Sequence, residues 1–353
     1  MNIMVKHLTI HLTNRCNLKC ANCHVAALEN NLATEYMIPD SDIRKLFVSS
    51  LISISIAGGE PFANKKRLYH MLDLIPSHIH KAITSNATLI NDNDLLYLKN
   101  NNIRLQVSID GTKYYHEQNR GVGTYDLAHE VISKAIKGGI RVDILSTVTR
   151  DNMHDIERLV NDMNRLGVSD IMLLHFTPKG RGEQHPEDEM KREEWIPYIY
   201  NLSQKLTHIK KSRVWIQPRF LSVEQIQNKS LGRRFQCNYY RLDYAYVDIT
   251  SGSIYPCGLA YDTPLSLGSL LENPSLDYLV STHLASIGNH KMCPDCSISD
   301  ICNGGAKCYS WLHFNDIYTK DPHCYKDNII PVCPFPAMQI AGPIIKTTAP
   351  TIV

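Results

Sequence analysis

The segment Leu12-Thr-Asn-Arg-Cys16-Asn-Leu-Lys-Cys20-Ala-Asn-Cys23 carries three cysteines with the spacing C-x3-C-x2-C. It continues an alternating apolar run of Leu8, Ile10 and Leu12, which predicts a β-strand near the N-terminus. The three thiols therefore lie in a loop at the end of a strand. Thiolates bind soft metals, and three on one short loop can hold three irons of a 4Fe-4S cube while the fourth iron stays open for chemistry. The segment alone also allows a structural zinc site with His24 as the fourth ligand.

Composition and charge narrow the class of protein. The 353 residues are 43% hydrophobic and 20% charged, an ordinary globular composition, and the length allows one large domain or two. A formal net charge of +2 gives no electrostatic reason to expect a nucleic-acid partner. No apolar run approaches the roughly 20 residues of a membrane span, and no signal peptide is recognisable. We therefore expect a cytoplasmic protein that binds neither nucleic acid nor membrane.

The eleven cysteines form two separate groups along the chain. Three lie at 16–23, and eight lie between Cys237 and Cys333. In a long chain without an export signal, reduced metal-binding cysteine is a better interpretation than a disulfide framework. The sequence therefore predicts two metal-binding regions.

Apolar β-type runs alternate with helical patterns between the two groups. Besides the N-terminal strand, the runs predict strands at 51–56, 81–84, 103–109, 142–148 and 170–176. Helical periodicity is clear at 125–136 and 155–163, and a further helix is expected at roughly 190–210. The repeating order predicts a parallel sheet that either stays open or curls into a barrel. Both arrangements bind ligands at the C-terminal ends of the strands.

The second predicted strand runs into Ala57-Gly58-Gly59-Glu60-Pro61. Glycines let the backbone approach a ligand closely, and a carboxylate there can accept from an ammonium group. Alone this turn is a weak signal, but together with the cysteine triad it resembles the radical SAM superfamily. The resemblance implies that Cys16, Cys20 and Cys23 hold a catalytic 4Fe-4S cluster. It also implies that Gly58, Gly59 and Glu60 bind the amino end of S-adenosylmethionine.

Further segments that resemble this superfamily are Val107-Ser-Ile-Asp-Gly111, the run from His116 to Arg120-Gly121, Gly123-Thr-Tyr-Asp126 and Thr147-Val-Thr-Arg-Asp-Asn152. The resemblance implies partners for the carboxylate and ribose hydroxyls of the cofactor at Ser85, Asn86, Ser108 and Asp110. Any of these four could instead cap a turn. Two positions depart from the family pattern: Asn22 replaces the usual aromatic residue, and Ser85-Asn86-Ala87 replaces T-N-G.

Three other residues, Arg120, Arg150 and His175, fall near strand ends and could face the substrate. A solvated or structural role is the alternative for each of them.

The second cysteine group resembles the SPASM domain, which holds two auxiliary 4Fe-4S clusters in many radical SAM enzymes. The resemblance implies an outer cluster on Cys293, Cys296, Cys302 and Cys324. It implies an inner cluster on Cys237, Cys257 and Cys308. Five residues separate Cys302 from Cys308 where the family has three, which we interpret as a loop insertion. Cys333 either completes the inner cluster or stays unligated, and a zinc site at Cys293 and Cys296 is the structural alternative.

Taken together, the resemblance implies an α/β protein with four regions. These are a partial (β/α)6 TIM-like barrel at 1–215, a linker at 216–236, a small cysteine-rich α+β SPASM domain at 237–334 and a C-terminal tail at 335–353.

The expected activity follows from the same resemblance. A radical SAM enzyme reductively cleaves S-adenosylmethionine to a 5'-deoxyadenosyl radical, which removes a hydrogen atom from the substrate. SPASM-bearing relatives mostly modify ribosomally made peptides by cross-linking, thioether formation, epimerisation or dehydrogenation, so a peptide substrate is expected. The alternative is a dehydrogenase or isomerase acting on a small molecule or cofactor precursor. Gly258 follows Cys257 where the sulfatase-maturing branch has aspartate, which argues against that branch.

Two partners are also expected. The reductive step needs a low-potential electron donor such as a flavodoxin or ferredoxin. Because the first strand begins within a few residues of the N-terminus, a peptide substrate would need direct docking or a separate leader-peptide recognition protein.

Overall fold

The computed structural model describes residues 5–27, 37–217, 219–222, 237–287, 293–296, 299–322, 324, 332–335 and 338–343. The chain divides into two compact units. The parallel-sheet unit is formed by His11–Glu35, Ile54–Gln217 and Ala337–Val353. The cysteine-rich unit is formed by Met1–Ile10, Tyr36–Ser53 and Pro218–Pro336. The domain boundaries given above stay predictions.

Strands and helices alternate along the parallel-sheet unit, as predicted. After β1 (His7–His11), its strands are β2 (Ser53–Ala57), β3 (His80–Ser85), β4 (Arg104–Ser108), β5 (Val142–Val148), β6 (Asp170–His175) and β7 (Arg213–Gln217). Helix α1 (Asp40–Ile43) belongs to the cysteine-rich unit. The helices of the parallel-sheet unit are α2 (Lys65–Leu74), α3 (Asp92–Asn100), α4 (Lys113–Arg120), α5 (Thr124–Lys137), α6 (Ile156–Leu166) and α7 (Arg192–Lys205). The six predicted strands are present, which confirms the α/β class.

The strand order in this unit is that of an unclosed sheet. It runs β2-β3-β4-β5-β6-β7 and ends on one further strand, Met338–Ala341, which pairs antiparallel with β7. The four pairs from β3 to β7 are parallel. The sheet therefore forms a partial barrel. Neither β7 nor the strand at Met338–Ala341 was predicted, and the latter falls in the segment expected to be a tail.

Alternation along the strands gives the sheet two different faces. One face carries fully buried aliphatic side chains, such as Val107, Ile144 and Ile171, which are neighbours across β4, β5 and β6 through the register. The opposite face carries polar residues and half-buried ones such as Ser108 and Leu145. Burying the aliphatic face supplies the main stabilisation of this unit, since apolar burial contributes about 25 cal/mol per Å².

A row of charged residues crosses the second face at the N-terminal ends of the strands. Asp170 accepts hydrogen bonds from Arg141 Nη2 at 2.7 Å and Trp215 Nε1 at 2.8 Å, and it also pairs with Arg213. Although burial opposes it, hydrogen bonding from these partners lowers the pKa of Asp170. Asp170 is therefore a buried carboxylate whose negative charge is stabilised by neighbouring cations and hydrogen-bond donors.

Asp143 lies beside Asp170 in the register, but nearby cations balance its negative charge less well. Its nearest printed cation is Arg104, whose Nη1 lies 3.0 Å from Oδ2, and Arg141 Nε lies farther away, 3.8 Å from Oδ1. Burial outweighs these cations and, together with the charge of Asp170, raises the pKa of Asp143 to about 6. Ionising Asp143 therefore opposes folding, whereas ionising Asp170 favours it.

The cysteine-rich unit contains short elements. Its strands are β8 (Arg219–Ser222), β9 (Tyr244–Asp248), β10 (Ser253–Tyr255), β11 (Gly268–Ser269) and β12 (Val332–Phe335), followed in the chain by the edge strand already described, β13 (Met338–Ala341). Besides α1, its helices are α8 (Asn238–Arg241), α9 (Leu276–Ile287), α10 (Ser299–Cys302) and α11 (Lys307–Phe314). One sheet orders its strands β11-β10-β9-β1, and β12 pairs antiparallel with β8. Across the described residues of both units, no helix has the length and apolarity needed to cross a bilayer.

The two aspartates give the first prediction. At about pH 8, Asp170→Asn should lower the free energy of unfolding by about 3 kcal/mol, because it leaves the largely buried Arg213 guanidinium without its carboxylate partner. Asp143→Asn should cost less than about 1 kcal/mol or should stabilise, since the amide removes an unfavourable charge. That relative benefit should shrink at about pH 5, where Asp143 is already protonated. Denaturant unfolding at both pH values measures this, and a larger loss for Asp143→Asn than for Asp170→Asn at the higher pH would contradict it.

Candidate active site

The loop that follows β1 gathers the first three cysteines. Cys16 and Cys20 are buried, Cys23 is half-buried, and the amide N–H of Leu18 donates to Cys16 Sγ at 3.4 Å. Burial raises the pKa of Cys16 to about 11, and the proximity of Cys20 and Cys23 contributes in the same direction. The three thiols are thus close enough to interact electrostatically. A metal that binds them as thiolates must release their protons.

The glycine pair at the end of β2 lets that strand press against the cysteine loop. Gly59 N donates to Thr13 O at 2.6 Å, and Glu60 N donates to Arg15 O at 2.7 Å. A Cβ at residue 59 would lie 2.1 Å from Arg15 O, and one at Gly58 would lie 2.6 Å from Thr13 O. Gly58 also has φ +134, a conformation that disfavours any side chain. The glycines are therefore needed for contact with the cysteine loop itself.

Glu60 is only 1% exposed, and its carboxylate is held by three donors. Oε1 accepts from Phe62 N at 3.0 Å and from Ser85 Oγ at 2.8 Å, while Oε2 accepts from Asn86 N at 2.7 Å. Burial nevertheless raises the pKa of Glu60. A carboxylate has about four acceptor positions, so one position on Oε2 is left for a further donor.

Asn86 connects this carboxylate to the cysteine loop. Its Nδ2 donates to Asn17 Oδ1 at 3.0 Å and lies 4.0 Å from Cys16 Sγ. The structure thus brings Ser85 and Asn86 to Glu60 and to the cysteine loop. A direct contact of either side chain with the cofactor stays a prediction.

Ser108 and Asp110 differ in their surroundings. Ser108 ends β4 and is half-buried. Asp110 is 1% exposed, and its carboxylate accepts from Arg120 Nε at 2.7 Å, Asn119 Nδ2 at 2.7 Å and Thr147 N at 2.8 Å. Although burial opposes it, the charge of Arg120 lowers the pKa of Asp110. Asp110 is therefore an internal anchor, and its expected contact with the ribose stays a prediction.

The remaining residues predicted near strand ends also have internal partners. Arg150 Nη2 pairs with Glu194 Oε2 at 2.6 Å. His175 Nε2 lies 2.8 Å from Met190 O, and its ring packs edge-on against Trp195. The structural alternative given above thus accounts for both residues.

Arg181 is a site residue that the sequence reasoning missed. Its Nε donates to Cys20 O at 2.8 Å, its Nη1 donates to Ala27 O at 2.5 Å, and its backbone N–H donates to Cys23 O at 3.0 Å. The preceding Gly180 packs so closely that a Cβ there would lie 2.6 Å from Cys23 O. The Gly180-Arg181-Gly182 triplet was the signal that the sequence offered for this contact.

A cavity of about 110 Å³ lies beside the cysteine loop and the ends of β5 and β6. Its lining residues are Ala21, Asn22, Tyr115, Gln118, Asn119, Thr149, Asp151, Asn152, Phe176, His185 and Asp188. Burial and the charge of Asp151 raise the pKa of Asp188. The lining includes Asn22, the position that departs from the family pattern, so this departure borders open space.

In the cysteine-rich unit, Cys237, Cys257 and Cys308 lie together. A hydrogen bond with Cys257 and burial both raise the pKa of Cys308. The amide N–H of Lys307 donates to Cys237 Sγ at 3.5 Å, and burial with the charge of Cys257 raises the pKa of Cys237 to about 11. These are the three residues assigned above to an inner cluster.

A second group in this unit contains Cys293, Cys296 and Cys302. Burial raises the pKa of Cys293, and the nearby Cys302 and Cys296 contribute. The backbone N–H of Cys324 donates to Asp321 O at 2.9 Å. Cys333 lies in β12 opposite Leu221, and its side chain is outside the described residues. Both proposed ligand sets stay predictions.

The donor sets bear on the choice between zinc and iron-sulfur clusters. Within the described part of the chain, no three His, Cys, Asp or Glu side chains converge at the spacing of a single-ion site. A tetrahedral zinc site requires sulfur ligands about 3.8 Å apart, whereas cluster ligands bind different irons. The choice between zinc and iron at the second cysteine group stays a prediction.

Comparison with known proteins identifies the parallel-sheet unit. Residues 10–163 match the radical SAM superfamily. The chain therefore contains a radical SAM domain. A 4Fe-4S cluster and S-adenosylmethionine are therefore its cofactors. The radical SAM match includes the cysteine triad, the Gly58-Gly59-Glu60 turn and every other predicted cofactor contact.

Two relatives align with nearly the whole radical SAM chain. Fe-coproporphyrin III synthase of Methanosarcina barkeri is 24% identical over 348 residues, which cover 89% of this chain and 86% of the relative. The antilisterial bacteriocin subtilosin biosynthesis protein AlbA of Bacillus subtilis is 25% identical, with coverage of 90% and 70%.

The fold is similar to that of SuiB from Streptococcus suis. The structure of SuiB bound to S-adenosylmethionine aligns with a TM-score of 0.71 at 17% identity and covers 91% of this chain and 77% of SuiB. A further structure holds SuiB with its precursor peptide SuiA and aligns with a TM-score of 0.68 at 16% identity, with coverage of 90% and 75%. At this identity the likeness concerns the fold.

The residues of the parallel-sheet unit fit the two radical SAM cofactors. The cysteine loop offers three thiols, which are the ligand type of iron-sulfur clusters. Glu60 keeps one acceptor position for an ammonium group, and the glycine turn leaves no room for a side chain next to the loop.

Gly59 provides the second prediction. Gly59→Ala should reduce the iron content after anaerobic reconstitution to less than about half of the parent value, because the new Cβ would displace the carbonyl of Arg15 and the cysteine loop with it. Iron and sulfide assays on the purified protein measure this. Gly138→Ala is the matched control, since Gly138 has a right-handed helical conformation with φ -73 and a Cβ there would come no closer than 3.2 Å to a neighbouring atom. Equal iron contents in the two variants would contradict the interpretation of the glycine turn.

Proposed function

We propose that this radical SAM enzyme modifies a ribosomally synthesised peptide by removing a hydrogen atom from one of its residues. The observation that carries the proposal is the alignment of 90% of the chain with a bacteriocin biosynthesis protein. The likeness to SuiB, which has been solved with its precursor peptide, also supports it. The product would be a cross-linked, thioether-linked, epimerised or dehydrogenated peptide.

The chain's own residues would bind and orient the cofactors. When bound, the cluster and S-adenosylmethionine supply a carbon-centred radical, which is chemistry that the protein itself cannot perform. Cys16, Cys20 and Cys23 would hold three irons. Glu60 would accept from the ammonium end of S-adenosylmethionine at its remaining position on Oε2.

Several neighbours would support these contacts. Ser85 and Asn86 fix the orientation of the Glu60 carboxylate, and Ser108 would offer a hydroxyl at the end of β4. Gly180 and Arg181 close one side of the cysteine loop. Keeping water away from this region would protect a reactive radical from side reactions.

The cysteine-rich unit would hold two further 4Fe-4S clusters. The inner set would be Cys237, Cys257 and Cys308, completed by Cys333. The outer set would be Cys293, Cys296, Cys302 and Cys324. The grouping of the described thiols supports this division. Such clusters would accept or relay the electron that is released when the substrate radical is oxidised.

Two protein partners follow from this proposal. A low-potential donor such as a flavodoxin or ferredoxin would supply the electron for cofactor cleavage. A separate leader-peptide recognition protein could present the substrate.

A second candidate function is action on a tetrapyrrole or another cofactor precursor. The alignment with Fe-coproporphyrin III synthase, which covers 86% of that relative, favours it. The two candidates differ in substrate class and share the radical-forming machinery.

Anaerobic turnover separates the two functions and gives the third prediction. The reconstituted enzyme should convert a precursor peptide encoded beside its gene to a species of altered mass, altered linkage or altered stereochemistry, with formation of 5'-deoxyadenosine. Mass spectrometry and chiral amino-acid analysis measure this, and a variant with all three of Cys16, Cys20 and Cys23 replaced by alanine is the control. An unchanged peptide alongside a consumed iron-porphyrin substrate would favour the second function.

The cluster assignment gives the fourth prediction. The reconstituted parent should contain about 12 irons per chain, and the triple alanine variant of Cys16, Cys20 and Cys23 should contain about 8. A Cys293→Ala, Cys296→Ala double variant should also contain about 8 irons while it still cleaves S-adenosylmethionine to 5'-deoxyadenosine. Metal and sulfide analysis checks both values. Zinc in place of iron, or a parent with about 4 irons, would contradict the three-cluster proposal.

A further inference from the structure

Arg120 connects the cysteine loop to a buried carboxylate. It ends α4, and its side chain is 13% exposed. Its Nε donates to Asp110 Oδ2 at 2.7 Å, and its Nη1 lies 3.9 Å from Cys20 Sγ, within hydrogen-bonding range for sulfur. The planar guanidinium thus offers two edges to two different groups, which a lysine cannot do.

Asp110 holds this guanidinium in place. Its carboxylate is also fixed by Asn119 Nδ2 at 2.7 Å and Thr147 N at 2.8 Å, and its carbonyl accepts from Asn152 Nδ2 at 3.0 Å. A carboxylate with this many donors cannot turn without breaking several buried hydrogen bonds. The position of Arg120 is therefore set by the protein and does not depend on a bound cofactor.

The last turn of α4 also forms hydrogen bonds with the backbone next to Cys20. Asn119 O accepts from Ala21 N at 3.0 Å, and Asn119 Oδ1 accepts from Asn22 N at 3.1 Å. Together with Arg120, the helix therefore contacts three consecutive residues of the cysteine loop. This arrangement keeps the distance between the guanidinium and the Cys20 sulfur short.

We propose that Arg120 tunes the catalytic cluster by holding a permanent positive charge and an N–H donor against the sulfur of Cys20, with Asp110 as its anchor. The inference rests on the proposed role of Cys20 as a cluster ligand. Reduction adds negative charge to a cluster, and a nearby cation and N–H···S hydrogen bonds stabilise the reduced form. Arg120 therefore raises the reduction potential of the cluster and eases electron entry. It acts through Cys20 as a positioning and tuning residue.

Arg181 provides a matched comparison on the same loop. It is also an arginine next to Cys20, but its side chain donates to the carbonyls of Cys20 and Ala27. No hydrogen bond from Arg181 to the Cys20 sulfur is found among the described residues. Replacing it should loosen the loop and lower cluster retention, with a smaller effect on the potential.

The test compares reconstituted full-length parent, Arg120→Gln, Arg120→Lys and Arg181→Gln. An EPR-monitored redox titration follows the reduced-cluster signal that changes on addition of S-adenosylmethionine, since that signal belongs to the cluster with the open iron. Arg120→Gln should shift the midpoint to a more negative potential by at least about twice the shift in Arg181→Gln. Arg120→Lys should lie between Arg120→Gln and the parent, because it keeps the charge and loses the two-edged geometry.

Three outcomes decide the proposal. A parent-like potential in Arg120→Gln, or an equal shift in Arg181→Gln, overturns it. If Arg120→Gln retains no cluster, the midpoint potential of Arg120→Lys is compared with that of the parent instead. Equal potentials in Arg120→Lys and the parent overturn the proposal. If the parent itself lacks a signal that responds to S-adenosylmethionine, the cofactor assignment fails before any question about Arg120 arises.

Discussion

The backbone contact between the turn at Gly58–Glu60 and the cysteine loop is the constraint on which the rest of the site depends. Gly59 N and Glu60 N donate to the carbonyls of Thr13 and Arg15, so one short stretch fixes both the cysteine loop and the Glu60 carboxylate. This contact exists only because residue 59 has no side chain. The proposed cluster ligands and the proposed acceptor for the cofactor ammonium are therefore positioned by the same pair of hydrogen bonds.

Much of the parallel sheet could be predicted because its strands carry a strong local signal. β5 and β6 are rich in aliphatic and β-branched residues, and their predicted and observed limits nearly coincide. β7 (Arg213–Gln217) has charged and polar residues at its ends and only two fully buried side chains, Val214 and Ile216. β13 gains its hydrogen bonds from the edge of β7, so its formation depends on tertiary structure that no local pattern encodes.

The candidate site also has parts that the sequence could predict and parts that it could not. The cysteine triad and the glycine turn could be found because close spacing in the chain identifies them. The contacts of Arg120 and Arg181 with Cys20 span 100 and 161 residues, and nothing in their immediate sequence shows which group they meet. Asp110 was recognised as a polar residue at a strand end, but only the structure shows that its carboxylate is occupied by Arg120, Asn119 and Thr147. The types of residue at the site could be predicted from the sequence, but the groups that each of them contacts could not.

The contact between the glycine turn and the cysteine loop also implies an unequal tolerance to mutation on its two sides. The acceptors are main-chain carbonyls, which every amino acid carries, so residues 13 and 15 can change their side chains without removing these two hydrogen bonds. Residue 59 has no such freedom, because any Cβ would lie 2.1 Å from the Arg15 oxygen. Natural variation at this contact should therefore accumulate in the loop, while the position facing it stays glycine.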